Sequence, residues 1–503
     1  MKKLKIVVLL ALLTAATLRA QVTLPKILAS HMVVQRDLPV HVWGAATPGE
    51  QVSVSFRGET RAVTAGTLGR WSVYLKPGEA GGPFELTVKG TPANGAATPG
   101  DSIALEDVLV GDVWVASGQS NMEFMMSQAA TAADDLPKAG NDQIRLLIVK
   151  KRTSAFPLDD VETDGWAASS PDTAKIFSAA GWYFAREIEQ REHVPVGMID
   201  STWGGTPAEA WTRMQALGAD GALAPELAAW GKMTETEPDA LLVEKDHQRQ
   251  REEARAAGKP EPVFPWHRDL LSWGPGNLYN AMIAPLTPMA IRGAIWYQGE
   301  SNAEATRGPL YKRTMTDLIE DWRQQWGVGD FPFIWVQLAN YKPGSPDWWP
   351  VLRDQQLKTL ALSNTGMAVT IDIGNPDNIH PTDKLDVGLR LALWARALSY
   401  GEDVSYSGPL FREAVPDGAA MRVWFSHHAK GLVAKGGDLT GFEVAAADGK
   451  FVAATATIDG NTVVVSSPAV TEPAFVRYGW TSNPACNLYN GEGLPASPFT
   501  SVR

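Results

Sequence analysis

Residues 113–124 read VWVASGQSNMEF, and this stretch decides the fold. Its first five residues have the character of a buried strand, and a Gly-Gln-Ser-Asn cluster follows directly. Because open α/β sheets bind their ligands at the carboxyl ends of strands, Ser120 is a candidate nucleophile. Serine is a common residue, so this hypothesis requires a base, an orienting group and an oxyanion site elsewhere in the chain.

Apolar strands recur after this stretch and alternate with helical patterns. The helical patterns have apolar residues at a spacing of four, as over residues 176–188 and 385–397. This alternation predicts an α/β fold with a mostly parallel sheet and helices on both of its faces. The strand-like runs are DVLVGDVWVA (107–116), VPVGMI (194–199), GAIWYQ (293–298), PFIWVQL (332–338) and GMAVTI (366–371).

The two ends of the chain have a different pattern, in which short runs of alternating apolar and polar residues are separated by Gly/Pro turns. Such runs at about ten-residue spacing are typical of β-sandwiches. The predicted parts are a signal peptide (1–20), an N-terminal β-sandwich domain (22–105), an α/β catalytic domain (106–405) and a C-terminal β-rich domain (406–503). The catalytic domain is expected to carry a polar insertion at about 212–280.

The first twenty residues have a Lys-rich start, a short apolar run and Ala20 at the expected cleavage point. This layout is typical of a secretory signal peptide and is too short to span a bilayer. No cysteine lies near Ala20, so a lipid anchor is not expected. The sequence therefore predicts a periplasmic or secreted protein without a membrane anchor, in which Cys486, the single cysteine, forms no intrachain disulfide.

The composition excludes several classes of partner. The net charge of −11 and the pI near 5.3 argue against nucleic acid, whose binding needs a basic surface. No His-Glu-x-x-His, Cys-rich or P-loop motif is present, so neither a metal nor another cofactor is expected. Glu123 and Glu300 could serve as a glycosidase pair, but no other feature of the sequence supports that chemistry. The sequence does not indicate an oligomeric state.

His380 is the candidate base. Of the eight histidines, it alone lies in a loop immediately after an α/β strand and before a strong helical pattern, in IDIGNPDNIHPTDKL (371–385). Asp377 lies three residues upstream, and in a turn this spacing lets a carboxylate reach Nδ1 of the imidazole. Turn hydrogen bonds alone also explain the Asp and Asn residues of this loop. We expect Asp377→Asn to damage activity more than Asp372→Asn, because Asp372 lies eight residues away at the strand end.

Three strand ends offer oxyanion donors. The backbone N–H of Ser120 begins a possible helix, whose amino end favours negative charge. Gly204 and Gly205 follow the strand at 194–199 and allow a close backbone approach. Gln298 ends another strand with a side-chain amide. Taken separately, each motif is better explained as a tight turn, but three such motifs beside a Ser and a His are hard to explain as turns alone.

Long stretches of the chain resemble the SGNH hydrolases, and within them the bacterial sialate O-acetylesterase family. The catalytic blocks that carry the resemblance are GDVWVASGQSNMEF, STWGGTPAEAW, WYQGESNA and IHPTDKLDVGLRLALWA. The start and the end of the chain, LPKILASHMVVQRDLPVHVWG and VRYGWTSNPACNLYNGEGLPASPF, are similar to the terminal regions of the same family.

The resemblance implies a flavodoxin-like catalytic domain with Ser120 as nucleophile and His380 as base. It also implies that Gly205 and the Ser120 amide donate to the oxyanion. Gln298 stands where the superfamily has an Asn, and the Asp377-to-His380 spacing matches the superfamily's Asp-x-x-His, with Asp372 or a backbone carbonyl as alternative orienting groups.

The expected function is that of a secreted serine esterase that removes acetyl groups from an acetylated sugar through an acetyl-enzyme intermediate. The family resemblance favours O-acetylated sialic acids slightly over plant glycans such as xyloglucan or xylan fragments. A different class of protein, a non-catalytic carbohydrate-binding protein, remains the alternative.

Overall fold

The computed structural model describes most of the chain, and the predicted signal peptide lies outside the described residues. The described ranges are 22–91, 102–236, 240–262, 264, 268–342, 344 and 347–502.

The N-terminal region is a set of short strands in which buried and exposed residues alternate. In Arg70–Leu75, for instance, Trp71, Val73 and Leu75 are buried while their neighbours are exposed, which is the two-residue period of a strand with one face in the core. The strands are β1 (Val33–Gln35), β2 (Val40–Ala45), β3 (Gln51–Phe56), β4 (Glu59–Thr64), β5 (Arg70–Leu75), β6 (Gly81–Thr91) and β7 (Ser102–Gly118).

Strand β7 belongs to two parts of the fold. Its first half pairs antiparallel with β6, and its second half is the central strand of the α/β sheet. The predicted boundary between residues 105 and 106 therefore falls inside one continuous strand. One apolar cluster extends from Val22 to Leu410, so the N-terminal strands share a core with the α/β region.

The central sheet has the order β13-β12-β11-β7-β10-β8-β9, in which every pair is parallel except the antiparallel edge pair β8–β9. Strands β10 to β13 are buried along their whole length, which explains their continuous apolar runs. The remaining strands of this region are β8 (Asn141–Ile148), β9 (Trp166–Ser169), β10 (Val196–Thr202), β11 (Gly293–Tyr297), β12 (Phe333–Val336) and β13 (Thr365–Ala368).

Helices connect these strands. They are α1 (Ser120–Glu123), α2 (Ala132–Asp135), α3 (Pro171–Lys175), α4 (Ala179–Glu192), α5 (Met214–Ala219), α6 (Ala224–Thr236), α7 (Ala240–Ala256), α8 (Leu270–Trp273), α9 (Tyr311–Trp326), α10 (Trp349–Thr359) and α11 (Lys384–Tyr400). Helices α5 to α8 lie between β10 and β11, where the sequence predicts an insertion. The predicted α/β core with flanking β regions is confirmed.

The C-terminal region has its own apolar cluster, from Met421 to Phe499, and a buried arginine connects it to the α/β region. Arg353 on α10 is fully buried and donates to the carbonyl oxygens of Thr481 and Ser482. The C-terminal strands are β14 (Leu410–Asp417), β15 (Ala420–Ser426), β16 (Leu432–Ala434), β17 (Phe442–Ala445), β18 (Val452–Ala453), β19 (Thr455–Asp459), β20 (Thr462–Ser466), β21 (Phe475–Tyr478), β22 (Leu488–Asn490) and β23 (Phe499–Thr500).

Across the described ranges, no helix combines the length and the apolar character that crossing a bilayer requires.

Candidate active site

Strand β7 ends on small residues because another strand passes very close to it. Gly118 has a φ of +129°, and a Cβ atom there would lie 2.3 Å from the carbonyl oxygen of Tyr297 on β11. Only glycine fits this position without displacing the backbone. The chain then turns through Gln119 into α1, which begins at Ser120. The sheet thereby presents Ser120 at the carboxyl end of its central strand.

His380 meets Ser120 across the end of the sheet. It lies in the loop between β13 and α11, and its Nε2 is 2.8 Å from Ser120 Oγ. The two residues are 260 positions apart in the sequence. A hydrogen bond of this length is the geometry in which an imidazole removes a proton from a hydroxyl group. The structure therefore brings together the nucleophile and the base that the sequence suggests.

The surroundings of His380 favour its neutral form. Burial lowers the pKa of the imidazole, the nearby Lys384 ammonium group lowers this pKa further, and the Glu123 carboxylate partly opposes them. A base must be unprotonated to act, so this shift extends its working range toward lower pH.

Neither candidate acid contacts the imidazole. Within the described ranges, Asp377 is exposed and forms no side-chain hydrogen bond, while its backbone N–H donates to Asn375 Oδ1. Both carboxylate oxygens of Asp372 accept hydrogen bonds from Arg390, at 2.6 and 2.9 Å. The geometry gives no support to Asp377 as the orienting group, so the effect of Asp377→Asn expected from the sequence is revised below.

Two of the backbone donors that the sequence suggests for the oxyanion are unpaired. In the part of the chain that the structure describes, the N–H groups of Ser120 and Gly205 have no acceptor. The neighbouring Gly204 N–H is occupied, since it donates to Glu123 Oε2 at 2.5 Å. Gly204 also lies directly against the nucleophile, because a Cβ atom there would be 3.2 Å from Ser120 Cβ. The oxyanion role of the Ser120 and Gly205 N–H groups stays a prediction, which these unpaired donors leave open.

The suggestion that Gln298 is an oxyanion donor needs correction. Its side chain is fully buried, and its Nε2 contacts three acceptors, namely Gln119 Oε1, the carbonyl oxygen of Thr206 and Asn302 Oδ1. Tyr311 donates to its Oε1. Because an amide nitrogen has only two hydrogens, Gln298 has none left for a substrate. Its role in this structure is to hold the strand ends together.

A cleft of about 500 Å³ opens beside Ser120 and His380. Its polar lining includes Glu123, Asp200 and two lysines, Lys150 and Lys151. Lys151 Nζ is 2.5 Å from Glu123 Oε1, and Lys150 forms an ion pair with Asp164. Sequence reasoning missed both lysines because they follow β8, a strand whose end carries no cluster of small or amide residues.

The two aspartates can be separated by experiment. We expect Asp377→Asn to change kcat less than tenfold and the free energy of unfolding by at most about 0.5 kcal/mol, because its carboxylate is exposed and unbonded. Asp372→Asn weakens a half-buried ion pair and should cost roughly 1–3 kcal/mol. Measuring kcat and urea unfolding of both variants tests this. A fall of about 10⁴-fold in kcat for a folded Asp377→Asn protein, as for an orienting acid, would refute the expectation.

The comparisons with known proteins decide the family. The SASA family model, described as carbohydrate esterase, sialic acid-specific acetylesterase, matches residues 264–397. Sialate O-acetylesterase from Mus musculus is 31% identical over 519 residues, covering 93% of this chain and 92% of that protein. The Homo sapiens protein is 32% identical, covering 93% and 90%.

The chain belongs to the sialate O-acetylesterase family. A solved structure of a carbohydrate acetylesterase from Xanthomonas citri is 40% identical to it, with a TM-score of 0.82 and coverage of 95% of this chain and 99% of the other. The family resemblance read from the sequence is thus confirmed. This sialate O-acetylesterase family member is a carboxylic ester hydrolase that acts on acetylated carbohydrates, and the non-catalytic alternative is no longer needed.

Proposed function

We propose that this enzyme removes O-acetyl groups from sialic acids through an acetyl-enzyme formed on Ser120. The hydrogen bond between Ser120 Oγ and His380 Nε2, at the mouth of the cleft, is the observation that carries the proposal. His380 takes the proton as Oγ attacks the acetyl carbon, and the N–H groups of Ser120 and Gly205 stabilise the oxyanion. The imidazolium then protonates the sugar oxygen as its bond to the acetyl carbon breaks, so the sugar leaves with a free hydroxyl group. In the second half of the reaction His380 deprotonates a water molecule that attacks the acetyl carbon, and the imidazolium returns the proton to Ser120 Oγ as acetate leaves.

The charged groups that line the cleft support an anionic sugar as the substrate. Sialic acids carry a carboxylate. Two arginines of the α/β region are occupied, since Arg213 pairs with Asp321 and Arg353 is fully buried. Lys151 pairs with Glu123, but its side chain is half-exposed and lines the cleft together with Ser120, so a substrate carboxylate can reach its ammonium group. Burial raises the pKa of Asp200 to about 7, so below that pH this carboxyl group is mostly uncharged and does not repel an anion.

The substrate proposal predicts a selective effect of Lys151. We expect Lys151→Gln to lower kcat/KM for O-acetylated sialic acid by about tenfold, which corresponds to roughly 1.4 kcal/mol. The same variant should keep kcat/KM for a small neutral acetyl ester within about threefold, because that ester has no carboxylate. Lys150→Gln is the matched control, since Lys150 lines the same cleft but pairs with Asp164, which is not among the residues lining that cleft, whereas Lys151 pairs with the cleft residue Glu123.

A substrate panel tests the class directly. Initial rates should be compared on O-acetylated sialic acid, acetylated xylo-oligosaccharides and acetylated xyloglucan fragments. A preference of the wild-type enzyme for a neutral oligosaccharide by more than about tenfold in kcat/KM would replace sialic acid by a plant glycan as the substrate. That result would leave the Ser120 chemistry intact.

A further inference from the structure

A lysine is buried directly behind the catalytic pair. Lys384 is the first residue of α11 and has no exposed surface. Both conditions are unfavourable for an ammonium group, since a helix amino end repels cations and burial removes water. Its Nζ donates to Asn121 Oδ1 at 2.6 Å and lies 4.8 Å and 5.1 Å from the ring centroids of Phe124 and Tyr297. The hydrogen bond and the two ring faces offset part of these costs.

Asn121 connects this lysine to both halves of the site. Its Nδ2 donates to Glu300 Oε1 at 2.6 Å and to the carbonyl oxygen of Ile379 at 3.0 Å. Asn121 directly follows Ser120, and Ile379 directly precedes His380. A single buried amide therefore ties the turn of the nucleophile to the loop of the base, and Lys384 holds the oxygen of that amide.

The charged groups around the site come from four elements. Lys384 lies at the start of α11 and Asp383 directly precedes it, while Glu300 follows β11 and Glu123 ends α1. Glu300 is partly buried, and its buried Oε2 atom has no partner within the described ranges. Lys384 and Glu123 act on His380 with opposite signs. Asp372 and Asp377, the acids of the same loop, form no hydrogen bond with the imidazole in the described structure.

We infer that Lys384 is a positioning residue of this esterase. Through Asn121 it fixes the distance between Ser120 Oγ and His380 Nε2, and its ammonium group keeps the imidazole in the proton-accepting form. The inference rests on the Ser120–His380 chemistry proposed above.

The pH dependence of kcat/KM follows with a definite sign. A cation beside His380 disfavours the imidazolium ion, so the pKa of His380 lies below its ordinary value. The acid limb of the pH profile is the range in which kcat/KM falls with decreasing pH because His380 becomes protonated. The midpoint of this limb should therefore lie below pH 6.5. Burial lowers the pKa of Lys384 itself to about 7, so the group is mostly charged over the range of that limb. Removing the charge should move the limb to higher pH.

The experiment compares Lys384→Met, which keeps length and apolar volume, with Lys384→Arg, which keeps the charge. For Lys384→Met we expect a fall of at least tenfold in kcat at pH 6, a change in KM of less than threefold, and an acid limb displaced to higher pH. The acid limb of Lys384→Arg should lie closer to the wild-type position than that of Lys384→Met. Lys358→Met is the control, because Lys358 pairs with Asp354 on α10 and should leave the limb unchanged.

The possible failures are distinguishable. A folded Lys384→Met enzyme with the wild-type limb overturns the inference, even if kcat falls, because a purely structural role does not move the pH profile. If Lys384→Met does not fold, the double variant Lys384→Met/Glu300→Gln removes both buried charges and should show the same displacement. A wild-type limb at or above pH 6.5 overturns the inference without any variant. An active Ser120→Ala enzyme would instead overturn the proposed mechanism.

Discussion

Ser120→Ala is expected to abolish turnover while leaving the fold intact. The hydroxyl group contacts His380 at the mouth of a cleft, so its loss removes the nucleophile without creating a buried cavity. Loss of the nucleophile from a catalytic triad costs on the order of 10⁶-fold in kcat, so we expect a fall of at least 10⁴-fold. The measurement is acetate release from an acetylated sugar or a small acetyl ester, with circular dichroism and thermal unfolding as controls for folding.

The acetyl-enzyme intermediate provides a second test of the role of Ser120. Rapid quenching of the wild-type enzyme with excess ester should add the mass of one acetyl group to the peptide that carries Ser120. The same peptide from Ser120→Ala should stay unmodified. Turnover within tenfold of wild type by a folded Ser120→Ala protein would disprove nucleophilic catalysis by this residue.

His380→Gln should have the second largest effect. The amide can still form a hydrogen bond with Ser120 but cannot accept its proton, so we expect a loss on the order of 10⁴-fold in kcat. The residual rate should no longer show the acid limb of the wild-type profile, because the group that titrates there is absent. Rates measured from pH 4.5 to 9 test both statements.

Two further measurements show whether the loss of activity in His380→Gln is specific to proton transfer at His380. Substrate affinity should change little, since the imidazole acts on the reacting atoms and not on the sugar. His193→Gln should behave as wild type, because His193 directly follows the end of α4 and is not among the residues that line the cleft. A His380→Gln enzyme that retained a wild-type acid limb would show that another group is the base.

Local sequence patterns determined the fold class and pointed to Ser120 and His380, the two residues whose side chains meet in the structure. The apolar runs of β7 and β10 to β13 are continuous because both faces of a parallel sheet are buried, so they can be read without knowing their neighbours. The close approach of Tyr297 demands Gly118, and this small residue marks the strand end that carries Ser120. His380 was recognisable because a loop between a strand and a helix opens at the same edge of the sheet.

The tertiary structure decided which neighbouring polar groups reach the reacting atoms. Sequence spacing brought Asp377 near His380 along the chain, but the backbone of the loop leaves its carboxylate in solvent. Gln298 ends the expected strand, yet its amide nitrogen is already in hydrogen-bond contact with Gln119 and Thr206 from two distant segments and with Asn302 four residues further along the chain. The contact of Lys384 with Asn121 spans 263 positions. Hydrogen bonds depend on directions and distances set by the packing of distant segments, which a pattern within one segment does not encode.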